Sequence, residues 1–233
     1  MKCIVPLAGP DLKTEAYGFR PLLTVDGRTL LDAALDDRPW RGDLAGSDYI
    51  FVLRDVPGLA ELTDVLDARW PGHRRVVLSA VTGGAMLSAL AGLVLADAAA
   101  PVVVDLADIL FSRMDGDLAG MFAGDPGLGA AVPVFQADDA CYSYLEMRDG
   151  WAVRSVEKQV ISTHASAGVY VFRTPATYLA AAAWCLEHAD AVTVRGLHFV
   201  CPMVNGVVAG GLRVAAPAVA DANPVSKMFH ERA

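Results

Sequence analysis

The segment Pro101–Asp108, PVVVDLAD, constrains the fold of this chain more than any other stretch. Three consecutive valines form a strand that wants both faces buried, which places it inside an α/β sheet and not at a solvated edge. Its C-terminal end delivers two carboxylates, Asp105 and Asp108. Open α/β sheets bind ligands outside the carboxyl ends of their strands. A hard cation such as Mg²⁺ is held there by one or two carboxylates together with substrate phosphates. The two acids therefore read either as metal ligands or as a cap for the next turn (Asp105) and a solvated loop acid (Asp108).

The surroundings of this strand fit a sheet interior. Lys2–Ala8 (KCIVPLA), Asp48–Arg54 (DYIFVLR) and Arg74–Ser79 are further strand-like runs. Between them, Leu30–Asp37, capped by Thr29 after an Asp26–Gly27 turn, and Leu59–Arg69, with Leu62, Val65 and Leu66 at helical spacing, are expected helices. Thr82–Leu95 follows as a helix opened by Thr-Gly-Gly. Strand and helix alternate, which implies a Rossmann-like α/β fold with a mixed, mostly parallel sheet flanked by helices. The second half changes character. Ala130–Phe135, Tyr142–Met147, Ala152–Glu157 and Ala167–Phe172 are strand-like, with Asp149–Gly150 as a hairpin turn. Helices over Ala176–His188 and Leu197–Val208 and a strand at Leu212–Ala216 complete the expectation. No low-complexity linker intervenes, so residues 1–233 are expected to form a single domain, with a first half over 1–125 and a second over 126–233.

Composition narrows the function classes. A net charge of −8 argues against a nucleic-acid binder, which must neutralise a phosphate backbone, but permits binding of a single nucleotide. Hydrophobic residues make up 54% of the chain, enough for a sizeable core. Cys3, Cys141, Cys185 and Cys201 show no metal-ligand spacing and sit in apolar runs, as buried thiols of a cytoplasmic protein would. Met1–Ala8 is too short for a signal peptide. Ala80–Ala100 is apolar but contains Gly83, Gly84, Gly92 and Asp97, so a buried helix is expected and no membrane span.

Taken in order, these pieces resemble the sugar-phosphate nucleotidyltransferases, the pyrophosphorylase-like branch of the GT-A fold. MKCIVPLAG resembles that family's first strand and nucleotide loop, which implies nucleotide contacts from Leu7, Ala8 and Gly9. RPLLTVDGRTLLDAAL resembles its Lys-Pro-Leu-Leu signature, with Arg20 in the place of the lysine. TGGAMLSAL resembles the helix start beneath base and ribose, implying roles for Thr82, Gly83 and Gly84. VDLADILF sits where the family carries its metal aspartate, matched by Asp108 with Asp105 as a helper. YSYLEM, SVEKQVIS, ASAGVYVF and FVCPMVNGVVAGG resemble the sugar-phosphate half in order. There Lys158 would contact the substrate phosphate, Glu157 would accept sugar hydroxyls, and Gly168 would let the backbone approach. Tyr142 and Tyr144 share one face of a strand, either lining the sugar pocket or packing as a core-and-rim pair. The resemblance implies a Mg²⁺-dependent coupling of a nucleoside triphosphate to a phosphorylated small molecule, with release of pyrophosphate.

Two places depart from the family pattern. The phosphate loop, Gly-x-Gly-x-Arg in the family, here reads GPDLKTEAYGFRP, and Pro10 removes an N–H donor. Lys13 could supply the missing arginine's charge. Near the C-terminus ADANPVSK replaces a second metal aspartate turn, with Asp221 one position off. Two other classes stay open: a non-catalytic relative that binds nucleotide or sugar phosphate as a sensor or partner, and a GT-A glycosyltransferase. The latter usually carries Asp-x-Asp, whereas DLAD has a spacing of three. Neither base nor sugar is specified by any residue, and alanine-rich helices such as Ala176–His188 could pack internally or across a homo-oligomer.

Overall fold

A computed structural model describes residues 1–225, apart from the side chain of Ala119. Ser226 and Lys227 of the ADANPVSK segment thus lie outside the described residues. The central sheet has seven strands: β1 (Lys2–Pro6), β2 (Tyr49–Arg54), β3 (Arg74–Leu78), β4 (Val102–Asp105), β5 (Leu128–Ala131), β10 (Val169–Phe172) and β11 (Arg213–Ala215). Their spatial order is β11-β5-β10-β4-β1-β2-β3. β10 runs antiparallel to both neighbours, and the other pairings are parallel. A second, antiparallel sheet has the order β6-β9-β7-β8, from β6 (Val134–Gln136), β7 (Tyr144–Arg148), β8 (Trp151–Val156) and β9 (His164–Ser166). The mixed, mostly parallel sheet flanked by helices is the architecture expected from the sequence.

Alternation along the strands divides the core into two layers. Cys3, Val5, Phe51 and Val103 face α1 (Leu30–Asp36), α2 (Leu59–Arg69) and α4 (Leu118–Gly124), through Leu31, Leu35, Leu62, Leu66 and Phe122. Ile4, Ile50, Val52, Val102 and Val104 face α3 (Ala85–Leu93), α5 (Pro175–Glu187) and α7 (Met203–Ala209). Local signals hold where the chain starts a helix on a polar cap. Thr29 Oγ1 accepts from Asp32 N at 3.1 Å, and Thr174 caps α5 with Pro175 at its first turn. Asp26–Gly27 and Asp149–Gly150 adopt positive φ, as two-residue hairpin turns require.

Three expectations shift, and three further elements appear that carry no sequence signal. Ala130–Phe135 is two strands in two different sheets, because Pro133 lacks the N–H that a continuous ladder needs. The helix expected from Thr82 begins only at Ala85, since Gly84 takes a non-helical, positive-φ conformation at φ 131°. The helix expected over Leu197–Val208 begins at Met203. Before it, Val194 and Leu197 close a tight turn over Arg195 and Gly196, both at positive φ. Strand β9, helix α4 and the single turn α6 (Ala189–Val192) carried too little periodicity to be expected.

At the C-terminal end of β4 the sheet buries an ion pair. Arg38, just past α1, sends Nε and Nη2 to the two oxygens of Asp105 at 2.7 and 2.8 Å, and both side chains are essentially inaccessible. Arg38 Nη1 also donates to Ile109 O at 2.9 Å, and the guanidinium lies 4.1 Å over the Phe111 ring. A bidentate pair of this kind resists disruption because removing one partner strands the other charge away from water. Arg38→Met is therefore expected to lower unfolding free energy by ~3–5 kcal/mol in denaturant titrations. The double variant Arg38→Met with Asp105→Leu should recover part of that loss, the remainder being the Ile109 carbonyl and Ala107 N–H left unpaired.

Candidate active site

Beyond the carboxyl ends of β1 and β4 lies a cavity of about 340 Å³. Leu7, Ala8 and Gly9 enter from the loop after β1, and Leu106 and Asp108 from the loop after β4. Thr82, Gly84 and Ser88 come from the start of α3, Arg20 from the loop before α1, and Leu197 and Phe199 close the opposite wall. The walls are largely apolar, with charge confined to Asp11, Arg20 and Asp108. That is the usual composition of a small-molecule site, where a few polar groups orient a ligand against apolar sides.

The position of Asp108 follows from the loop that carries it. Asp105 Oδ1 accepts from Ala107 N at 2.9 Å, and Ala107 takes the left-handed conformation at φ 54°. Leu106 N donates to Gly168 O at 3.0 Å, so the loop is also pinned to the segment before β10. Gly168 sits at φ +73°, and a Cβ there would lie 2.6 Å from Asp108 Oδ1. Only glycine allows that approach. Asp108 Oδ1 is buried and, among the described residues, has no hydrogen-bond partner. Burial raises its pKa, the Arg20 charge opposes that rise, and Asp105 adds to it. An orphaned, partly desolvated carboxylate oxygen beside a cavity fits a hard divalent cation, which would supply the missing partner.

Glu157 lies past the end of β8, and its Oε2 accepts a hydrogen bond from Ser143 Oγ. Burial raises its pKa, Ser143 and Lys158 oppose the rise, and Asp108 reinforces it, so the two carboxylates sense each other. Glu157 lines a second cavity, about 530 Å³, together with Arg154, Gln159, Trp184 and Asn205. Lys158 adopts φ 54° and holds its ammonium 5.1 Å over the ring of Phe199, which lines the first cavity. Phe199 is set there by backbone pairing. His198 N donates to Gly83 O at 2.8 Å and His198 O accepts from Met86 N at 3.2 Å. A Cβ on Gly84 would meet His198 O at 2.2 Å, and its φ of 131° disfavours any side chain, so the position requires glycine.

Several residues singled out in the sequence are placed elsewhere. Asp105, expected as a helper for the metal, has its oxygens committed to Arg38 and Ala107 and is removed from the metal set. Lys13 points away from the cavity: Nζ donates to Pro57 O at 2.6 Å and lies 4.5 Å over Phe19. Tyr144 is core, its hydroxyl donating to Asp139 O at 2.8 Å, and Tyr142 packs edge-on against Phe135. Gly83 contributes through its carbonyl contact with His198 and not through the cavity wall. Asp221 accepts from the backbone of Ser112 and Arg113 and clasps the chain's end to that loop. Sequence reasoning passed over Asp11, Ser88, Ser143, Leu197 and Phe199. Ser143 was visible as the outward residue between two tyrosines, whereas Leu197 and Phe199 read as helix.

No family model matches the chain, and no curated protein matches its sequence. Solved structures do match its fold. One is a nucleoside-diphosphate-sugar pyrophosphorylase from Vibrio cholerae RC9, with a TM-score of 0.75 at 17% identity, over 93% of this chain and 91% of that one. A UDP-glucose pyrophosphorylase complexed with UDP-glucose matches with a TM-score of 0.66 at 13% identity, over 100% and 99% of the two chains. An inositol-1-phosphate CTP transferase from T. maritima gives 0.62 at 14%, over 95% and 86%. The chain thus has the fold of these nucleotidyltransferases over 86% or more of each of their chains. Among the described residues no helix is long and apolar enough to cross a membrane.

Two outcomes follow from this geometry. Gly168→Ala should destabilise the protein by ~1–3 kcal/mol, the cost of a strained backbone plus the displaced carboxylate, read from denaturant unfolding. Because Asp108 has a raised pKa, its contribution to stability is fully present below the ordinary carboxylate range. That contribution is lost as pH rises through the folded value. Asp108→Asn should therefore raise the melting temperature at pH 8 without divalent cations. The gain should shrink as the pH approaches the unfolded carboxylate's pKa.

Proposed function

We propose that this protein is a nucleotidyltransferase that couples a nucleoside triphosphate to a sugar phosphate or sugar-like phosphate and releases pyrophosphate. The observation that carries the proposal is Asp108. Its Oδ1, among the described residues, has no hydrogen-bond partner, and it lies at the carboxyl edge of a mostly parallel sheet in a cavity that Arg20 also lines, with Lys158 stacked on the lining residue Phe199. The fold shared with pyrophosphorylases, one solved with a nucleotide sugar bound, supports it.

In this reading the base and ribose rest against Leu7, Ala8 and the Thr82–Gly84 turn. Arg20 supplies positive charge to the triphosphate. Lys158 directs the phosphate oxygen of the second substrate toward the α-phosphorus, and Glu157 accepts hydrogen bonds from that substrate's hydroxyls. Asp108 would hold Mg²⁺, which when bound supplies charge neutralisation at the transferring phosphoryl group. The protein's share of such a reaction is positioning and electrostatic complementarity, with no covalent step on a side chain. A second reading is favoured by one observation: the loop after β1 offers a single glycine, then Pro10, and Arg20 is held by Asp11. On that reading the protein binds a nucleotide or sugar phosphate without turnover.

Pyrophosphate release from nucleoside triphosphates and sugar 1-phosphates, assayed with and without Mg²⁺, separates the two. Turnover that falls ~10²–10³-fold in Asp108→Ala is the expected result, the size typical of losing one preorganised electrostatic group. Ligand-induced stabilisation that is indifferent to Mg²⁺, with no pyrophosphate formed, would establish the binding protein instead.

A further inference from the structure

The cation of the cavity is already occupied by an anion of the protein's own. Asp11 lies in the short turn Pro10–Leu12 that follows Gly9, and both residues line the cavity with Arg20. Its Oδ2 forms an ion pair with Arg20 Nη1. Its Oδ1 folds back over the loop, 2.6 Å from where a Cβ on Gly9 would stand. The carboxylate therefore covers Gly9 and neutralises the cavity's arginine at the same time. Asp11 remains 47% exposed and Arg20 20%, so the contact is at the cavity mouth and can open without unfolding the core. Tyr17 Oη donates a long hydrogen bond to the Asp11 backbone oxygen at 3.5 Å, which leaves the Asp11 carboxylate itself uninvolved.

We infer that the Asp11 carboxylate is a built-in competitor for the phosphate seat formed by Gly9 and Arg20, and that a polyphosphate ligand binds by displacing it. The inference rests on the cavity being a phosphate site, as proposed above, and adds how access to that site is controlled. Any anion arriving at Arg20 meets a carboxylate at contact distance, and like charges so placed repel. Affinity for the polyphosphate is thereby held down, and specificity shifts toward ligands whose other contacts offset the exchange. Release of Asp11 leaves its carboxylate beside the incoming phosphates, where only a cation can make it favourable. Binding of polyphosphate alone and polyphosphate with a divalent ion should therefore differ more in the native protein than in a variant without this acid.

The test is calorimetric titration of inorganic tripolyphosphate in the absence of divalent ions. It uses the full chain as native protein, Asp11→Asn, Arg20→Met and the double variant. Asp11→Asn should bind ~2–5-fold tighter than the native protein, the factor for a ligand that no longer has to break one exposed ion pair to reach Arg20. The gain should vanish when Arg20→Met is added. Equal or weaker binding by Asp11→Asn, no binding by it at all, or a gain that survives Arg20→Met each overturns the inference. The nucleotidyltransferase reading is judged separately by pyrophosphate release. Tighter tripolyphosphate binding without turnover leaves this inference standing and removes that reading, and turnover without the gain does the reverse.

Discussion

The bidentate pair between Arg38 and Asp105 is the contact on which the candidate site depends. Both groups are withdrawn from water in the densest part of the sheet, where an unpaired charge would be untenable. The cost of burying them is offset only because each nitrogen of the guanidinium donates: Nε and Nη2 to Asp105 and Nη1 to Ile109 O, with the flat face on Phe111. An apolar pair of equal volume could fill the same space. It would leave the Ile109 carbonyl and the Ala107 N–H without partners, and the loop between them would lose its shape. The ion pair thus converts a strand end into a fixed turn, and the turn aims Asp108 at the cavity.

That dependence explains what could be read from the sequence. The strand itself, its burial on both faces and the presence of two acids at its end were legible in PVVVDLAD, because they are local properties of residue type and order. The division of labour between the acids was not. Asp105 finds its partner 67 residues earlier, in a segment, DDRPWRG, whose composition looks like a solvated loop. Nothing in the period or spacing of either segment encodes such a pairing. Caps and two-residue turns were legible for the same reason as the strand, since Thr29 and Asp149–Gly150 act on their immediate neighbours.

The wall opposite Asp108 was misjudged for a related reason. Leu197, Phe199 and Val200 lie at spacings compatible with a helix, and nothing local forbids one. Tertiary pairing overrides that preference: the backbone of His198 takes both a carbonyl and an N–H from the start of α3. Gly84 pays no steric penalty for letting it come so close, and the same contact delays the start of α3. Two errors in element boundaries, at Thr82 and at Leu197, are therefore one event seen from its two sides. The outcome is an aromatic wall, Phe199, with the Lys158 ammonium resting on it.

Seen electrostatically, the site is a set of charges that already have partners. Arg20 faces Asp11, Lys158 faces the π-cloud of Phe199, and Glu157 holds the Ser143 hydroxyl. In a chain with a net charge of −8, free cations lining an empty cavity would attract any anion. Partnered cations make binding an exchange, in which the ligand must supply better contacts than those it displaces. A weak anion at one subsite gains little from the exchange. A ligand that meets Arg20, Lys158 and the Asp108 side together displaces several weak contacts at once and leaves no charge unpaired. Asp108 alone lacks a partner on Oδ1, and burial already disfavours its charged form. The arrangement therefore favours ligands that bring their own cation to that oxygen while presenting negative charge to the two basic residues.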